Sequence, residues 1–223
     1  AKSTPVADEI TLIQAPNNVG FDILGNALRL RENSFNLDGS GYAEVADDAS
    51  LDVTDFTCSG WAKYSFLNTG SSWNVIYANG SNGHVAATFD VATETGGKLV
   101  SYISTIKLTS TSTFTEDEWF YFAVTRSGSD ISMYINGNTT PEATGTQSAS
   151  VNNALPKYIG RDASTNRFYK NLTDGILIYN RALTATEITN NYNVGLEAHT
   201  TPIYMLLGDT GFLLQEDGSK IIL

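Results

Sequence analysis

Cysteine is almost missing from this chain. Cys58 stands alone among 223 residues, so no intrachain disulfide can form. A fold of this size must then be held by burial, and the count points to synthesis in a reducing compartment. Cys58 falls within an apolar alternation, which reads it as a buried, inert thiol. Histidine is nearly as scarce, with only His84 and His199. Ser-His-Asp and Cys-His sites need a histidine near a nucleophile, and neither residue adjoins a nucleophile motif. One cysteine and two histidines also argue against a tetrahedral zinc site. Basic residues are outnumbered, 13 against 24 acidic, for a net charge of −11. No basic stripe interleaved with aromatics occurs, and such a chain repels phosphate backbones, which excludes nucleic acid as the expected partner. No apolar run approaches the roughly 18 residues of a membrane-spanning helix, so no membrane insertion is expected. There is no phosphate-cradling Gly-Lys-Ser/Thr loop and no dinucleotide fingerprint. Ala1-Lys2-Ser3-Thr4-Pro5 lacks the apolar stretch of a signal peptide, which sets the expectation of an intracellular start.

What is present is a strand-and-turn pattern. Phe56, Cys58, Gly60 and Ala62 alternate with Thr57, Ser59, Trp61 and Lys63, the period-two signature of a half-buried strand. Segments 74–78, 84–91 and 99–106 continue the series, each bounded by Gly, Ser or Asn. The clearest hairpin runs from Trp119 to Asn136. Phe120, Phe122 and Val124 share one face, the chain turns at Ser127-Gly128-Ser129-Asp130, and Ile131, Met133 and Ile135 return on one face. Residues 157–160 and 176–179 read as two more short strands. Many short strands with turns between them predict a two-sheet antiparallel sandwich. One helix is expected late. Thr184 and Glu187 form a capping box, Leu183, Ile188 and Tyr192 share a face, and Gly195 ends it. Residues 1–33 read as an N-terminal arm, 34–195 as the domain, and 196–223 as a tail. Within the tail, Asp209-Thr210-Gly211 and Asp217-Gly218 mark the turns of a three-stranded meander too small to stand alone. Its apolar residues, Leu206, Leu207, Phe212, Leu213, Leu214, Ile221 and Ile222, are the expected assembly surface.

Five segments in order carry a resemblance. Phe35-Asn36-Leu37-Asp38-Gly39-Ser40-Gly41-Tyr42-Ala43-Glu44-Val45 resembles the opening strand of laminin-G-like, concanavalin-A-like jelly rolls. Phe56 to Ala62 matches their next strand, and Glu118 to Thr125 followed by Met133 to Gly137 matches their central hairpin. Tyr158-Ile159-Gly160-Arg161 and Asp174 to Leu183 match their closing segments. The resemblance spans roughly residues 34–195 and implies an all-β jelly-roll sandwich with one short C-terminal helix and extended arms. Separately, Leu213 to Ile221 resembles endings of phage virion proteins.

The resemblance implies a fold shared by lectins, adhesion domains, glycosidases and phage structural domains, so the activity must be read from the residues. Retaining glycosidases on this fold use two carboxylates about 5 Å apart, carried in the related hydrolases on a Glu-x-Asp-x-x-Glu strand. That pattern is absent here, and Glu116-Asp117-Glu118 has the wrong spacing and sits at a turn. The expectation is a non-catalytic protein. Aromatic faces with polar neighbours would stack on sugars, which nominates Trp73, Tyr77, Tyr102 and Tyr169 with Asn74 and Asn79. Relatives often hold a structural Ca²⁺ through loop and edge carboxylates. Asp38 and Asp174 match such positions and Asp162 lies in a nearby loop, which nominates a calcium site. The leading expectation is a virion structural or decoration protein made in the host cytoplasm. It would be homo-oligomeric and would contact other virion proteins, copies of itself and cell-surface glycans. The alternatives are a stand-alone, extracellular carbohydrate-binding lectin and a diverged glycoside hydrolase.

Overall fold

The computed structural model describes residues 11–12, 21–24, 27–30, 35–64, 73–80, 88–163, 167–200, 213–214 and 220–221. In chain order the strands are β1 (Thr11–Leu12), β2 (Phe21–Leu24), β3 (Ala27–Leu30), β4 (Phe35–Asp38), β5 (Ala43–Val45), β6 (Phe56–Lys63), β7 (Trp73–Asn79), β8 (Phe89–Glu94), β9 (Lys98–Ile103) and β10 (Ile106–Thr109). They continue as β11 (Trp119–Ser127), β12 (Asp130–Ile135), β13 (Ala143–Thr146), β14 (Lys157–Ile159) and β15 (Lys170–Tyr179). Helix α1 (Ala185–Thr200) follows, then β16 (Leu213–Leu214) and β17 (Lys220–Ile221). Two antiparallel sheets form the body, in the orders β1-β5-β14-β7-β8-β9-β10 and β13-β12-β11-β6-β15-β4. This is the two-sheet antiparallel sandwich that the alternation implies, since each sheet has an apolar face to bury, and it agrees with the jelly roll that the resemblance implies.

The main core lies between the sheets. The six-stranded sheet supplies Phe56, Cys58, Phe120, Phe122, Val124, Ile131, Met133 and Ile135, and the seven-stranded sheet supplies Ile76, Phe89, Val91, Leu99 and Ile103. Burial pushes the Cys58 thiol far up, as expected of an inert sulfhydryl. The β11–β12 hairpin pairs Ser127 with Asp130 around Gly128, whose φ of 58° is a left-handed value that glycine takes at no steric cost.

Three departures from the sequence reading have physical causes. First, β6 is buried on both faces rather than one, because α1 lies on the outer face of the six-stranded sheet. Trp61, Tyr121, Ala123, Tyr179, Leu183 and Ile188 form a second core there. Second, α1 runs past Gly195 to Thr200 and so crosses the boundary expected at residue 195. A Cβ at Gly195 would stand 2.3 Å from the Trp61 indole nitrogen, so this glycine permits a close approach rather than ending the helix. The capping box does form, with the Thr184 N–H donating to Glu187 at 2.9 Å and the Glu187 N–H to the Thr184 hydroxyl at 3.3 Å. Third, segment 99–106 is not one strand: β9 ends at Ile103 and the chain turns into β10 through Ser104, at φ 54°, and Thr105, without glycine or asparagine.

Of the tail, β16 and β17 pair antiparallel, with Leu213 opposite Ile221 and Leu214 opposite Lys220. Leu206, Leu207, Phe212 and Ile222 lie outside the described residues, as does His84. Among the described residues no helix is long and apolar enough to cross a membrane.

Candidate functional site

The outer face of the seven-stranded sheet gathers aromatic rings and charges. Period-two alternation sends Trp73 and Val75 of β7, Ala92 and Glu94 of β8, and Val100 and Tyr102 of β9 to this face. Val75, Ala78, Ala92 and Val100 are fully buried there, and half-buried Trp73 and Tyr102 pack against them. Register then aligns the polar groups. Trp73 pairs with Glu94 across β7–β8, and Tyr102 pairs with Lys107 across β9–β10.

The side chains follow that grid. Trp73 Nε1 donates to Glu94 Oε1 at 2.9 Å, and Lys107 Nζ donates to both Glu94 oxygens at 2.8 and 2.9 Å. Tyr102 stands edge-on to Trp73 at 5.6 Å between centroids. The Lys107 ammonium lies 5.7 Å from the Tyr102 ring, and the Arg167 guanidinium lies 4.9 Å from the Trp73 ring. Arg167 is itself held by Asp162 at 3.1 Å. Partial burial works against the Lys107 charge, but the Glu94 carboxylate holds it and its pKa stands above the usual lysine value. The result is a fixed aromatic shelf rimmed by a carboxylate and two cations. Such a shelf can stack on the apolar face of a sugar ring while its rim bonds hydroxyls.

Not every nominated residue belongs to it. Trp73 and Tyr102 do. Asn74 is 5 % exposed, because the strand turns it to the face opposite Trp73. Tyr77 lies in the main core against Phe89, next to the irregularity in the β7–β8 register that puts both Ile76 and Tyr77 inside. Asn79 is buried, and its amide donates to the Val151 carbonyl at 3.0 Å. Tyr169 is wholly buried, its hydroxyl donating to the Lys63 carbonyl. These four are structural groups that cannot face a ligand.

Of the nominated calcium ligands, Asp162 and Asp174 lie at different sheets. Asp162 is fully buried and paired with Arg167 beside the seven-stranded sheet. Asp174 bonds His199 Nε2 at 3.0 Å on the outer face of the other sheet. Asp38 stands opposite Lys170 in the β4–β15 register. Asp162 and Asp174 are thus each engaged by a residue of their own, and among the described residues no three Asp, Glu, His or Cys side chains gather to hold an ion.

His199 is a satisfied histidine. It stacks on Trp61 at 4.3 Å and 4°, meets Trp119 edge-on at 4.6 Å, and bonds Asp174 and the Gly195 carbonyl. It fastens the last turn of α1 to the sheet.

Glu94, Lys107, Arg161 and Arg167 were not singled out from the sequence. Lys107 was open to discovery, since a turn at 104–105 would bring it opposite Tyr102. Arg167 had no such signal, because it reaches Trp73 from an irregular segment that no period describes.

No curated protein matches this sequence. Among solved structures, the binding domain of Paraclostridial Mosquitocidal Protein 1 superposes with a TM-score of 0.61 at 18% identity, over 89% of this chain and 52% of that one. Domain 4 of AbnA, an extracellular GH43 arabinanase of Geobacillus stearothermophilus in complex with arabinotriose, gives a TM-score of 0.54 at 18% identity, over 82% and 86%. The binding domain of botulinum neurotoxin serotype G gives 0.54 at 14% identity, over 88% and 50%. The chain thus spans about half the length of the two toxin chains. At these identities the likeness shows the fold alone. The sequence model of one family matches residues 37–189, through most of both sheets and into α1. The chain belongs to the concanavalin A-like lectin/glucanases superfamily.

Proposed function

We propose that this protein is a carbohydrate-binding domain that holds its glycan on the outer face of the seven-stranded sheet. The observation that carries the reading is the Trp73–Tyr102 pair, half-buried and locked edge-to-face beside Glu94, Lys107 and Arg167. Rigid rings lose little entropy on binding, and the fixed rim supplies hydrogen bonds without reorganisation. Arabinotriose held by an arabinanase domain of the same fold supports a saccharide as ligand.

Binding rather than catalysis suits the chemistry of this face. Glu94 is tied to Lys107 and Trp73, and Asp162 to Arg167, so neither is a free carboxylate for acid-base work. Turnover of a β-glucan would contradict this. The test of the site is a glycan array probed with the wild-type chain and with Trp73→Ala. The expected outcome is a specific hit weakened about tenfold or more by the substitution, with an unchanged far-ultraviolet dichroism spectrum. An array without hits, or hits indifferent to Trp73→Ala, would overturn the reading.

A second reading sets the same domain on a virion surface, with the tail as its assembly element. It is supported by the resemblance of Leu213 to Ile221 to phage virion endings and by the β16–β17 pair, which is too small to be stable alone. Light scattering separates the two. An oligomer that dissociates when the tail is removed supports the virion reading, and a monomer indifferent to the tail contradicts it.

A further inference from the structure

We infer that Arg161 is an acidic-sugar subsite of this face, its guanidinium taking the carboxylate of a saccharide whose neutral rings lie toward Trp73 and Tyr102. The inference rests on the glycan reading above and names the class of glycan.

Three aromatic rings surround this cation. The Arg161 guanidinium carbon lies 4.2 Å from the Tyr42 ring centroid, 4.8 Å from that of Tyr158 and 5.8 Å from that of Phe168. Its Nε donates to the Asp162 carbonyl at 2.8 Å. What sets it apart from its neighbours is its ion pairing. Arg167 has Asp162, Lys107 has Glu94 and Lys157 has Asp47, but among the described residues no carboxylate pairs with Arg161. Glu44, beside Tyr158 in the β5–β14 register, makes no ion pair with it. Among the described residues Arg126 also lacks a carboxylate, but its guanidinium is buried and donates to the Gly128 and Ala149 carbonyls, whereas the half-buried Arg161 donates to a carbonyl through Nε. Its Nη donors form the planar fork that matches a carboxylate.

The backbone holds the arginine in place. Gly160 has a φ of 90°, and a Cβ there would stand 2.7 Å from Leu37, so only glycine fits. Its N–H donates to the Ile76 carbonyl and its carbonyl accepts from the Tyr169 N–H, both at 2.8 Å. The next residue, Arg161, is therefore aimed before any ligand arrives. The box also adjoins the shelf. Arg167 lies over Trp73 and its chain neighbour Phe168 lies under Arg161, so one dipeptide joins the two. A saccharide on Trp73 and Tyr102 would present a neighbouring carboxylate to Arg161.

The test is an array that carries uronate- and sialate-terminated oligosaccharides beside their methyl esters, probed with the full chain and followed by calorimetry on the hits. An acid should bind roughly tenfold tighter than its ester. Arg161→Gln should abolish that difference, so that acid and ester bind alike, with an unchanged far-ultraviolet dichroism spectrum showing that the variant is folded. Arg161→Lys should retain only part of it, because lysine keeps the charge and loses the fork. Equal affinity for acid and ester, or a preference that survives Arg161→Gln, overturns the inference; ester binding that Trp73→Ala weakens would then leave the broader reading standing. Failure to retain any saccharide overturns both.

Discussion

Gly195 sits under two opposing preferences. In a helix interior glycine costs about 1 kcal/mol relative to alanine, so propensity alone favours Gly195→Ala. Packing opposes it, because the new Cβ would stand 2.3 Å from the indole nitrogen of Trp61, which is itself wedged between Tyr192 and His199. Overpacking of that kind typically costs about 1–3 kcal/mol, so the net change should be a loss. A lower urea midpoint for Gly195→Ala checks it, and a higher midpoint would mean that α1 sits farther from the sheet. Glu187 offers a second test at this scale. Hydrogen bonding from Arg181 and from the Thr184 backbone N–H lowers its pKa from 4.5 to about 2. A carboxylate with a depressed folded-state pKa stabilises the fold above its unfolded value. That contribution fades as the pH falls from about 4.5 through about 2. Glu187→Gln should therefore flatten the acid limb of a stability–pH curve and leave its shape near neutrality unchanged. The pair is well exposed, so the effect will be small.

Helix α1 shows why elements differ in how far sequence reveals them. Its start was legible, since Thr184 and Glu187 carry their own mechanism for ending a chain of unpaired N–H groups. Its end was not. Gly195 carries the same letter whether it closes a helix or admits an indole, and only the facing Trp61 decides. The β6 and β11–β12 alternations were legible because one face of each had to meet the other sheet, and that face was assigned correctly. The burial of their opposite face was hidden, because it depends on a helix more than fifty residues later. The site divides in the same way. Trp73 and Tyr102 were legible only as two of four nominated aromatics. Tyr77 and Tyr169 looked the same in one dimension but face inward, and Arg161 and Arg167 gain meaning only from the rings they meet in three. At this scale His199 is the testable contact. It ties the last turn of α1 through Asp174, Trp61 and Trp119. His199→Ala should raise amide hydrogen exchange in residues 196–200 and leave the β11–β12 hairpin protected. Equal exchange in both proteins would show that the turn is held by something else.

The molecule as a whole has two unlike outer faces. One is closed by α1, which packs Trp61, Tyr121 and Tyr179 out of reach. The other keeps Trp73, Tyr102 and Arg161 half-buried among fixed charges. On the proposed reading, this protein meets its ligand through the seven-stranded sheet and not through the helix-covered side. The chain holds three tryptophans, which makes the claim directly readable. Trp73 reports one face and Trp61 and Trp119 report the other. The most direct measurement is a titration of the isotope-labelled chain with its strongest array hit, following the three indole N–H resonances. The account predicts that the Trp73 signal moves with saturation while those of Trp61 and Trp119 stay in place. Movement of Trp61 or Trp119 with a stationary Trp73 would contradict it.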